Sequence, residues 1–208
     1  MPLTITAQGL GRVFSRRTIF SEVSFLLEEK QVLLITGRNG SGKSTIVKIV
    51  TSVLSPSSGS VEFRREDVVL RERERMDAVG LVSPYLQLYD EFSARENLQY
   101  AEAMRGRRPD NTRISQLLVR VALRERGDDP VGTYSSGMKQ RAKYSMALVH
   151  NPPVLVLDEP MANLDAEGIG IVREIMEEHR TLGLLIVATN DLTDLSHFDS
   201  RIDLDVKR

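Results

Sequence analysis

Nine consecutive residues could bind phosphate, because their types and spacing match the pattern GxxxxGK(S/T). They are Gly37, Arg38, Asn39, Gly40, Ser41, Gly42, Lys43, Ser44 and Thr45. The glycines let the backbone pass close to a phosphate, and successive amide N–H groups at the start of a helix point at the anion. Lys43 is placed to neutralise the β- and γ-phosphates of a nucleoside triphosphate, and the Ser44 hydroxyl to contact Mg²⁺. We name residues 37–45 the phosphate loop.

The flanking residues supply the context that this pattern requires. A continuous apolar run, residues 32–35, precedes the loop and predicts a buried strand. Apolar residues at helical spacing follow the loop and predict an amphipathic helix over about residues 43–54. A glycine- and serine-rich turn that binds nothing is the alternative, but strand, loop and helix together favour a nucleotide site.

Asp158 and Glu159 end a second apolar run, residues 154–157, and could act on a bound triphosphate. In an open α/β sheet, ligands collect at the carboxyl ends of the strands, where the phosphate loop also lies. Asp158 is placed to hold Mg²⁺, usually through a water molecule. Glu159 is placed to orient or deprotonate the water that attacks the γ-phosphate. The alternative for Asp158 is a cap on the following turn.

A third group of polar residues opens a predicted helix ahead of that strand. The group consists of Tyr134, Ser135, Ser136, Gly137, Met138, Lys139, Gln140 and Arg141. Serine hydroxyls and free N–H groups at a helix start can bind an anion, so Ser135, Ser136 and Gly137 are candidate phosphate contacts. The same residues also make a good N-terminal cap, and both interpretations stay open.

Alternating strands and helices must position these groups. Residues 3–8 and 18–28 alternate apolar and polar and predict an antiparallel pair, with Phe14 on the turn between its strands. Three helices are predicted between an apolar strand at residues 79–82 and the 154–157 strand, at residues 94–104, 113–121 and 136–150. The other predicted elements are a strand at 59–63, a solvated loop and short helix at 64–75, a helix at 166–181, a strand at 184–188, a short helix at 192–198 and a last strand at 201–206. This alternation predicts an α/β fold with a mainly parallel sheet and right-handed crossovers.

Composition excludes several kinds of function. The 208 residues carry a net charge of -1, so no global positive field recruits nucleic acid or anionic lipid. The chain has no cysteine, which excludes disulfides and thiolate chemistry. Its longest aliphatic runs fall far short of the roughly 20 residues needed to cross a bilayer, and residues 1–10 do not form a signal peptide. We expect any action at a membrane to require a partner protein.

The order and spacing of these motifs resemble the ATP-binding subunit of an ABC transporter, over residues 3–206, and the small, single-domain haem-exporter kind in particular. The resemblance implies one domain, residues 1–208, with a P-loop ATPase core, an N-terminal antiparallel β subdomain and an inserted helical subdomain at about residues 86–130. It makes residues 37–45 the Walker A loop, residues 154–159 the Walker B strand and residues 135–138 the signature. Residues 162–165 match the D-loop, and Phe14 matches the aromatic residue that stacks on adenine.

The same resemblance implies ATP and Mg²⁺ as cofactors and two kinds of partner. A second ATPase subunit would join head to tail, and a homodimer is favoured over a heterodimer. In that arrangement, Ser135 and the Gly137 amide reach the γ-phosphate held by the other copy. A transmembrane permease subunit would dock a coupling helix beside residues 85–92, for which internal packing is the alternative. The chain is then expected to be cytoplasmic and peripheral on the inner face of the membrane, where ATP binding closes the dimer and hydrolysis opens it.

Three positions depart from the family pattern. Ser136 replaces a glycine, Pro84 replaces a glutamine, with Gln87 three residues later, and Asn190 replaces the histidine that follows the last buried strand. Asparagine donates a neutral hydrogen bond but carries no proton or positive charge, so turnover is expected to be about ten- to a hundred-fold slower. Because Glu159 is intact, a slow but real ATPase is expected. The histidines, His150, His179 and His197, are expected at surface or cap positions.

Two other functions compete with transport. A non-transport ABC ATPase acting on ribosomes or DNA generally carries fused ATPase halves or long coiled-coil arms, and the sequence shows neither. Its neutral charge also offers no face for nucleic acid. A P-loop kinase or GTPase would leave Ser135 and the Leu164, Asp165 pair unexplained. Transport powered by ATP is therefore the leading interpretation.

Overall fold

Two β-sheets organise the computed structural model, which describes residues 2–205. Val206, the expected end of the last strand, lies outside the described residues. The strands are β1 (Leu3–Phe14), β2 (Arg17–Leu27), β3 (Val32–Thr36), β4 (Ser58–Arg65), β5 (Val68–Val69), β6 (Val79–Val82), β7 (Val154–Asp158), β8 (Leu184–Ala188) and β9 (Ser200–Asp203). The α-helices are α1 (Lys43–Val50), α2 (Glu72–Ala78), α3 (Ala94–Met104), α4 (Asn111–Arg120), α5 (Ser136–Leu148) and α6 (Ala166–Leu182).

The larger sheet is parallel and is buried on both faces. Its strand order is β6-β7-β8-β3-β9, and every neighbouring pair runs parallel. Alternate residues of β3 enter different cores: Val32 and Leu34 pack with helices α3 to α6, whereas Leu33 and Ile35 pack with α1 and the smaller sheet. Burial on both faces is why the strands are continuous apolar runs. The predicted α/β fold with a parallel sheet is confirmed.

The smaller sheet is antiparallel, with the order β2-β1-β4-β5. Its first two strands are longer than predicted, and the expectation that Phe14 lies on a turn is wrong. Phe14 ends β1 and pairs with Arg17, which leaves Ser15 and Arg16 as a two-residue turn. Both turn residues have positive φ, at 45° and 71°. Such left-handed turns usually contain glycine or asparagine, so this sequence gave no signal for one.

Two predicted helices are shorter in the structure, and the charged run at residues 64–75 contains strand as well as helix. Helix α1 ends at Val50 rather than Leu54, because the Thr51 hydroxyl donates to the Val47 carbonyl and Ser52 adopts a φ of 63°. The short helix expected at residues 192–198 is a single 3₁₀ turn, Leu192–Asp194. The charged run at residues 64–75 continues β4, forms β5 and then begins α2.

Two of the histidines are buried, so their expected surface or cap positions are wrong. His150 follows α5 and points into the protein, where its Nε2 lies 3.1 Å from the Val79 carbonyl. His179 is also buried, on the inner side of α6. His197 is exposed and lies beside Asp199. Helical spacing alone did not show that His150 and His179 lie on the packed side of their helices.

Burial of His150 predicts a loss of stability in mild acid. Burial, and then the nearby positive charge of Arg105, lower the pKa of His150 from 6.5 to about 4. As the pH falls from 6.5 to 4, the unfolded chain takes up the proton before the folded chain does. Stability is therefore fully present above pH 6.5, and His150 is expected to remove about 2 kcal/mol of it between pH 7 and pH 5.

Urea unfolding of the wild type and of His150→Gln at pH 7 and pH 5 checks this expectation. Glutamine can still donate to the Val79 carbonyl but does not titrate. The variant should lose about 2 kcal/mol less than the wild type across this interval. Equal losses in the two proteins would contradict the assignment.

Candidate active site

The phosphate loop lies between β3 and α1 in a conformation that suits an anion. Gly42 has a φ of 108°, and a Cβ at this position would lie 2.7 Å from Ile19 Cγ2. No side chain caps the start of α1, and no acidic residue lies in its first turn. The positive end of the helix is therefore left for a ligand, as phosphate binding requires.

Lys43 links this loop to the end of β7. Its side chain is only 5% exposed, and its Nζ donates to the Gly37 carbonyl at 2.8 Å. The same Nζ lies 3.3 Å from Glu159 Oε1, so the lysine predicted to bind phosphate and the predicted base form an ion pair. The structure thus brings together two motifs that are more than a hundred residues apart in the sequence.

Asp158 is fully buried at the end of β7 with one oxygen available. Its Oδ2 accepts a hydrogen bond of 3.4 Å from the Ser83 hydroxyl, and its Oδ1 has no hydrogen-bond partner among residues 2–205. Burial raises the pKa of Asp158, and the nearby Ser44 and Ser83 hydroxyls act against that rise. A buried carboxylate oxygen without a partner, next to the Ser44 hydroxyl, fits the expected Mg²⁺ site.

Ser83 is a residue of the site that was not predicted from the sequence. This buried residue follows β6, whose neighbour in the sheet is β7, so its hydroxyl meets Asp158 at the shared carboxyl edge. It also accepts a hydrogen bond from the Tyr85 N–H at 3.3 Å. A polar residue directly after a predicted strand was the available signal, because the carboxyl ends of parallel strands meet.

Glu159 has a backbone conformation that is uncommon for a residue with a side chain. Its φ is 51°, and its N–H donates to the Ala188 carbonyl at 2.8 Å. A left-handed residue immediately after a strand turns the chain sharply, and here the carboxylate meets Lys43. Unfavourable backbone conformations of this kind concentrate at functional sites.

Asn190 lies two residues after the end of β8, next to Thr189. Its Nδ2 lies 3.5 Å from Asn39 Oδ1 in the phosphate loop. The Thr189 hydroxyl donates to Asp194 at 2.6 Å and accepts from the Asp191 N–H, so local hydrogen bonds hold the turn. The structure therefore places Asn190 beside the phosphate loop, and its contact with a γ-phosphate stays a prediction.

The serine-rich helix start is not brought to the loop within one chain. Ser135 caps α5, accepting the Met138 N–H at 3.2 Å, as the cap interpretation predicted. Ser135 and Ser136 are exposed, and a Cβ on Gly137 would lie 3.3 Å from the Asn163 carbonyl. Across residues 2–205, no hydrogen bond or ion pair joins residues 135–137 to the phosphate loop.

The segment at residues 85–92 is partly packed and partly exposed. Leu88 packs against the core, whereas Tyr85, Tyr89 and Phe92 are residues that are 62%, 49% and 40% exposed. Tyr89 contacts Phe92 and Tyr100 with ring centroids 5.5 and 5.3 Å apart. Tyr85 also has a contact within the chain, because Lys48 Nζ lies 3.7 Å from its ring centroid. The aromatic side chains are therefore packed in part and exposed in part.

Residues 2–205 contain no cluster of three or more histidine or carboxylate side chains arranged to hold a metal ion. Within the same range, no helix has the length and apolar character of a membrane span.

Comparisons with known proteins identify the family. A family model described as ABC transporter matches residues 20–162. The chain is 33% identical over 186 residues to the cytochrome c biogenesis ATP-binding export protein CcmA of Methylococcus capsulatus, covering 89% of this chain and 90% of that protein. It is 34% identical over 191 residues to the lantibiotic transport ATP-binding protein SrtF of Streptococcus pyogenes, covering 91% and 81%.

Solved structures show the same fold. An ATP-binding subunit of an ABC transporter superposes with a TM-score of 0.79 at 23% identity, covering 91% of this chain and 80% of that chain. A bacterial Atm1-family ABC exporter with ATP bound gives 0.82 at 21% identity, covering 97% and 37%. The sequence relatives support transport rather than action on ribosomes or DNA. The chain belongs to the ABC transporter family, as an ATP-binding subunit with ATPase activity that works with membrane subunits.

Proposed function

We propose that ATP is hydrolysed between the phosphate loop and the carboxylates Asp158 and Glu159. The observation that carries this proposal is the position of Lys43, which hydrogen-bonds to the loop and forms an ion pair with Glu159. The backbone of the loop would surround the phosphates, and Lys43 would neutralise their charge. The loop residues in this role are Gly37, Arg38, Asn39, Gly40, Ser41, Gly42, Lys43, Ser44 and Thr45.

Ser44 and Asp158 would hold Mg²⁺. When bound, this ion supplies positive charge that stabilises the negative charge developing on the phosphate oxygens. Asp158 offers its unpartnered Oδ1, while the Ser83 hydroxyl occupies Oδ2 and so fixes the rotation of the carboxyl group. The Ser83 contact leaves Oδ1 as the oxygen of this carboxylate without a partner among residues 2–205.

Glu159 would take the proton of the water that attacks the γ-phosphorus. The bond from that phosphorus to the β,γ-bridging oxygen then breaks, which gives ADP and phosphate. A phosphate near Lys43 would compete with Glu159 for this cation, because both are anionic. Nucleotide binding would thereby release the Glu159 carboxylate to act as a base.

A hydrolysis assay on the purified chain tests this proposal. We expect phosphate release from ATP that requires Mg²⁺ and stops when the ion is chelated. Calorimetry should show binding of ATP to the chain that strengthens with Mg²⁺. Absence of any magnesium-dependent affinity for adenosine nucleotides would contradict the proposed site.

A second ATPase subunit would complete the site. Ser135 and Ser136 are exposed, and within residues 2–205 no hydrogen bond or ion pair joins them to the phosphate loop, which supports contact with nucleotide on another chain. A homodimer places the Ser135 hydroxyl and Gly137 N–H of each copy at the γ-phosphate held by the other. Sedimentation with ATP, under conditions that block hydrolysis, distinguishes a homodimer from a heterodimer. The purified chain alone should form a dimer if the homodimer is correct, whereas a heterodimer requires a different ATPase chain.

The exposed aromatic rings of residues 85–92 would dock the membrane subunit on the inner face of the membrane. Aromatic side chains are common anchors at protein interfaces, and these rings lie directly after β6, whose end contacts Asp158. Co-expression with a candidate transmembrane permease subunit tests the proposal. Residues 85–92 should become protected from hydrogen exchange in the complex, and unchanged exchange there would contradict docking.

Asn190 offers a direct test of the slow-turnover prediction. Asn190→His introduces a side chain that can carry a proton and a charge toward the γ-phosphate. We expect the rate of ATP hydrolysis to rise about ten- to a hundred-fold with little change in ATP affinity. Steady-state assays of Asn190→His and Asn190→Ala check this, and unchanged rates in both variants would exclude a role for position 190.

A further inference from the structure

The guanidinium of Arg12 covers one face of the Phe14 ring. Its Cζ lies 4.3 Å from the ring centroid, within the range of a cation–π contact. Arg12 Nη1 donates to the Ser55 carbonyl at 2.8 Å, and the neighbouring Val13 N–H donates to the Ser57 hydroxyl at 3.1 Å. The segment after α1 therefore holds Arg12 against Phe14.

The ring of Phe14 nevertheless remains 41% exposed. Phe14 ends β1, and the strand that pairs with it, β2, carries Ile19 and Phe20 against the phosphate loop at Gly42. The β1–β2 hairpin that contacts the phosphate loop therefore also carries an aromatic ring, Phe14. The base of a nucleotide whose triphosphate is bound by the loop could stack on this ring. Arg12 contacts one face of the same ring.

We infer that Arg12 is a positioning residue for the base of the nucleotide and acts through Phe14. This inference rests on the proposed nucleotide site at the phosphate loop. Arg12 fixes the ring before the nucleotide arrives, so less side-chain freedom is lost when a base stacks on the open face. The guanidinium is also planar, and its charge attracts the ring electrons, which favours a layered arrangement of cation, ring and base.

Binding of ATP is compared with binding of tripolyphosphate, which has the same phosphates but no base. In Arg12→Ala and Arg12→Gln, the affinity for Mg²⁺-ATP should fall about 3- to 10-fold, while the affinity for Mg²⁺-tripolyphosphate stays the same. Arg12→Lys keeps the cation and should restore part of the ATP affinity. Calorimetry measures both ligands, and thermal melting verifies that each variant is folded.

Arg17→Ala is the matched control. It removes the same charge from the same hairpin, and Arg17 makes no ring contact or side-chain hydrogen bond in the part of the chain that the structure describes. Its affinities for both ligands should match those of the wild type. A fall equal to that of Arg12→Ala would show a general charge effect and overturn the inference.

A double-mutant cycle tests whether Arg12 acts through Phe14. In a Phe14→Ala background, Arg12→Ala should cost no further ATP affinity, because the ring that it supports is gone. An equal additional loss in that background would overturn the inference, as would an equal loss of tripolyphosphate affinity in the single variant. Wild-type protein that binds neither ligand would instead refute the nucleotide site itself, and with it the role of Arg12.

Discussion

Glu159→Gln is expected to lower the rate of ATP hydrolysis about 1,000-fold while ATP still binds. Glutamine has the shape of glutamate and can accept a hydrogen bond from Lys43, but it cannot take a proton from water. The substitution also removes a negative charge 3.3 Å from the Lys43 ammonium. Because this carboxylate no longer competes with phosphate for Lys43, the affinity for ATP should be equal to or higher than that of the wild type.

Single-turnover hydrolysis and calorimetry with Mg²⁺-ATP separate the two effects. Glu29→Gln makes the same chemical change in the exposed turn between β2 and β3, and it should behave as the wild type in both measurements. The Glu159→Gln protein should also sediment as a dimer when ATP is present. Hydrolysis within about tenfold of the wild-type rate would mean that another group serves as the base.

Sequence patterns were most informative where one physical constraint acts on several neighbouring residues. Strands β7 and β8 must be apolar on both faces, so their runs of valine, leucine and isoleucine were unambiguous. The phosphate loop combines glycines, a lysine and a serine with a strand before and a helix after it. Such signals are local, and the parallel sheet could be predicted from them.

Features that depend on partners distant in sequence were not visible in the same way. Nothing near His150 indicates that its ring reaches the carbonyl of Val79, 71 residues away. The contact between Ser83 and Asp158 likewise depends on β6 lying beside β7, which is a property of strand order. These cases share one cause: burial and pairing across a sheet are set by tertiary packing rather than by neighbouring residues.

The residues of the candidate site could likewise be predicted from local patterns, whereas the contacts between them could not. The sequence identified Lys43, Asp158 and Glu159 as separate motifs, and the structure adds the ion pair between Lys43 and Glu159. Within residues 2–205 it joins residues 135–137 to the loop by no hydrogen bond or ion pair, which no periodicity could show. The structure thus adds one contact within the site, and the contact of residues 135–137 with nucleotide stays a prediction.

Lys43→Met should weaken ATP binding and lower the rate of hydrolysis about 100- to 1,000-fold. Methionine fills a similar volume but has no charge and no donor for the phosphate oxygens or for the Gly37 carbonyl. It also leaves Glu159 without its cation, so the carboxylate would repel an incoming triphosphate. The loss of affinity should therefore exceed that of a variant in which both charges are removed.

Comparison of Lys43→Met with the double variant Lys43→Met, Glu159→Gln measures this repulsion. We expect the double variant to bind ATP more tightly than Lys43→Met and to remain without measurable turnover. Lys30→Met removes a lysine from an exposed turn and should leave affinity and rate unchanged. If the single and double variants bind ATP equally, the ion pair in the free protein has no influence on nucleotide binding, and Lys43 acts on the phosphates alone.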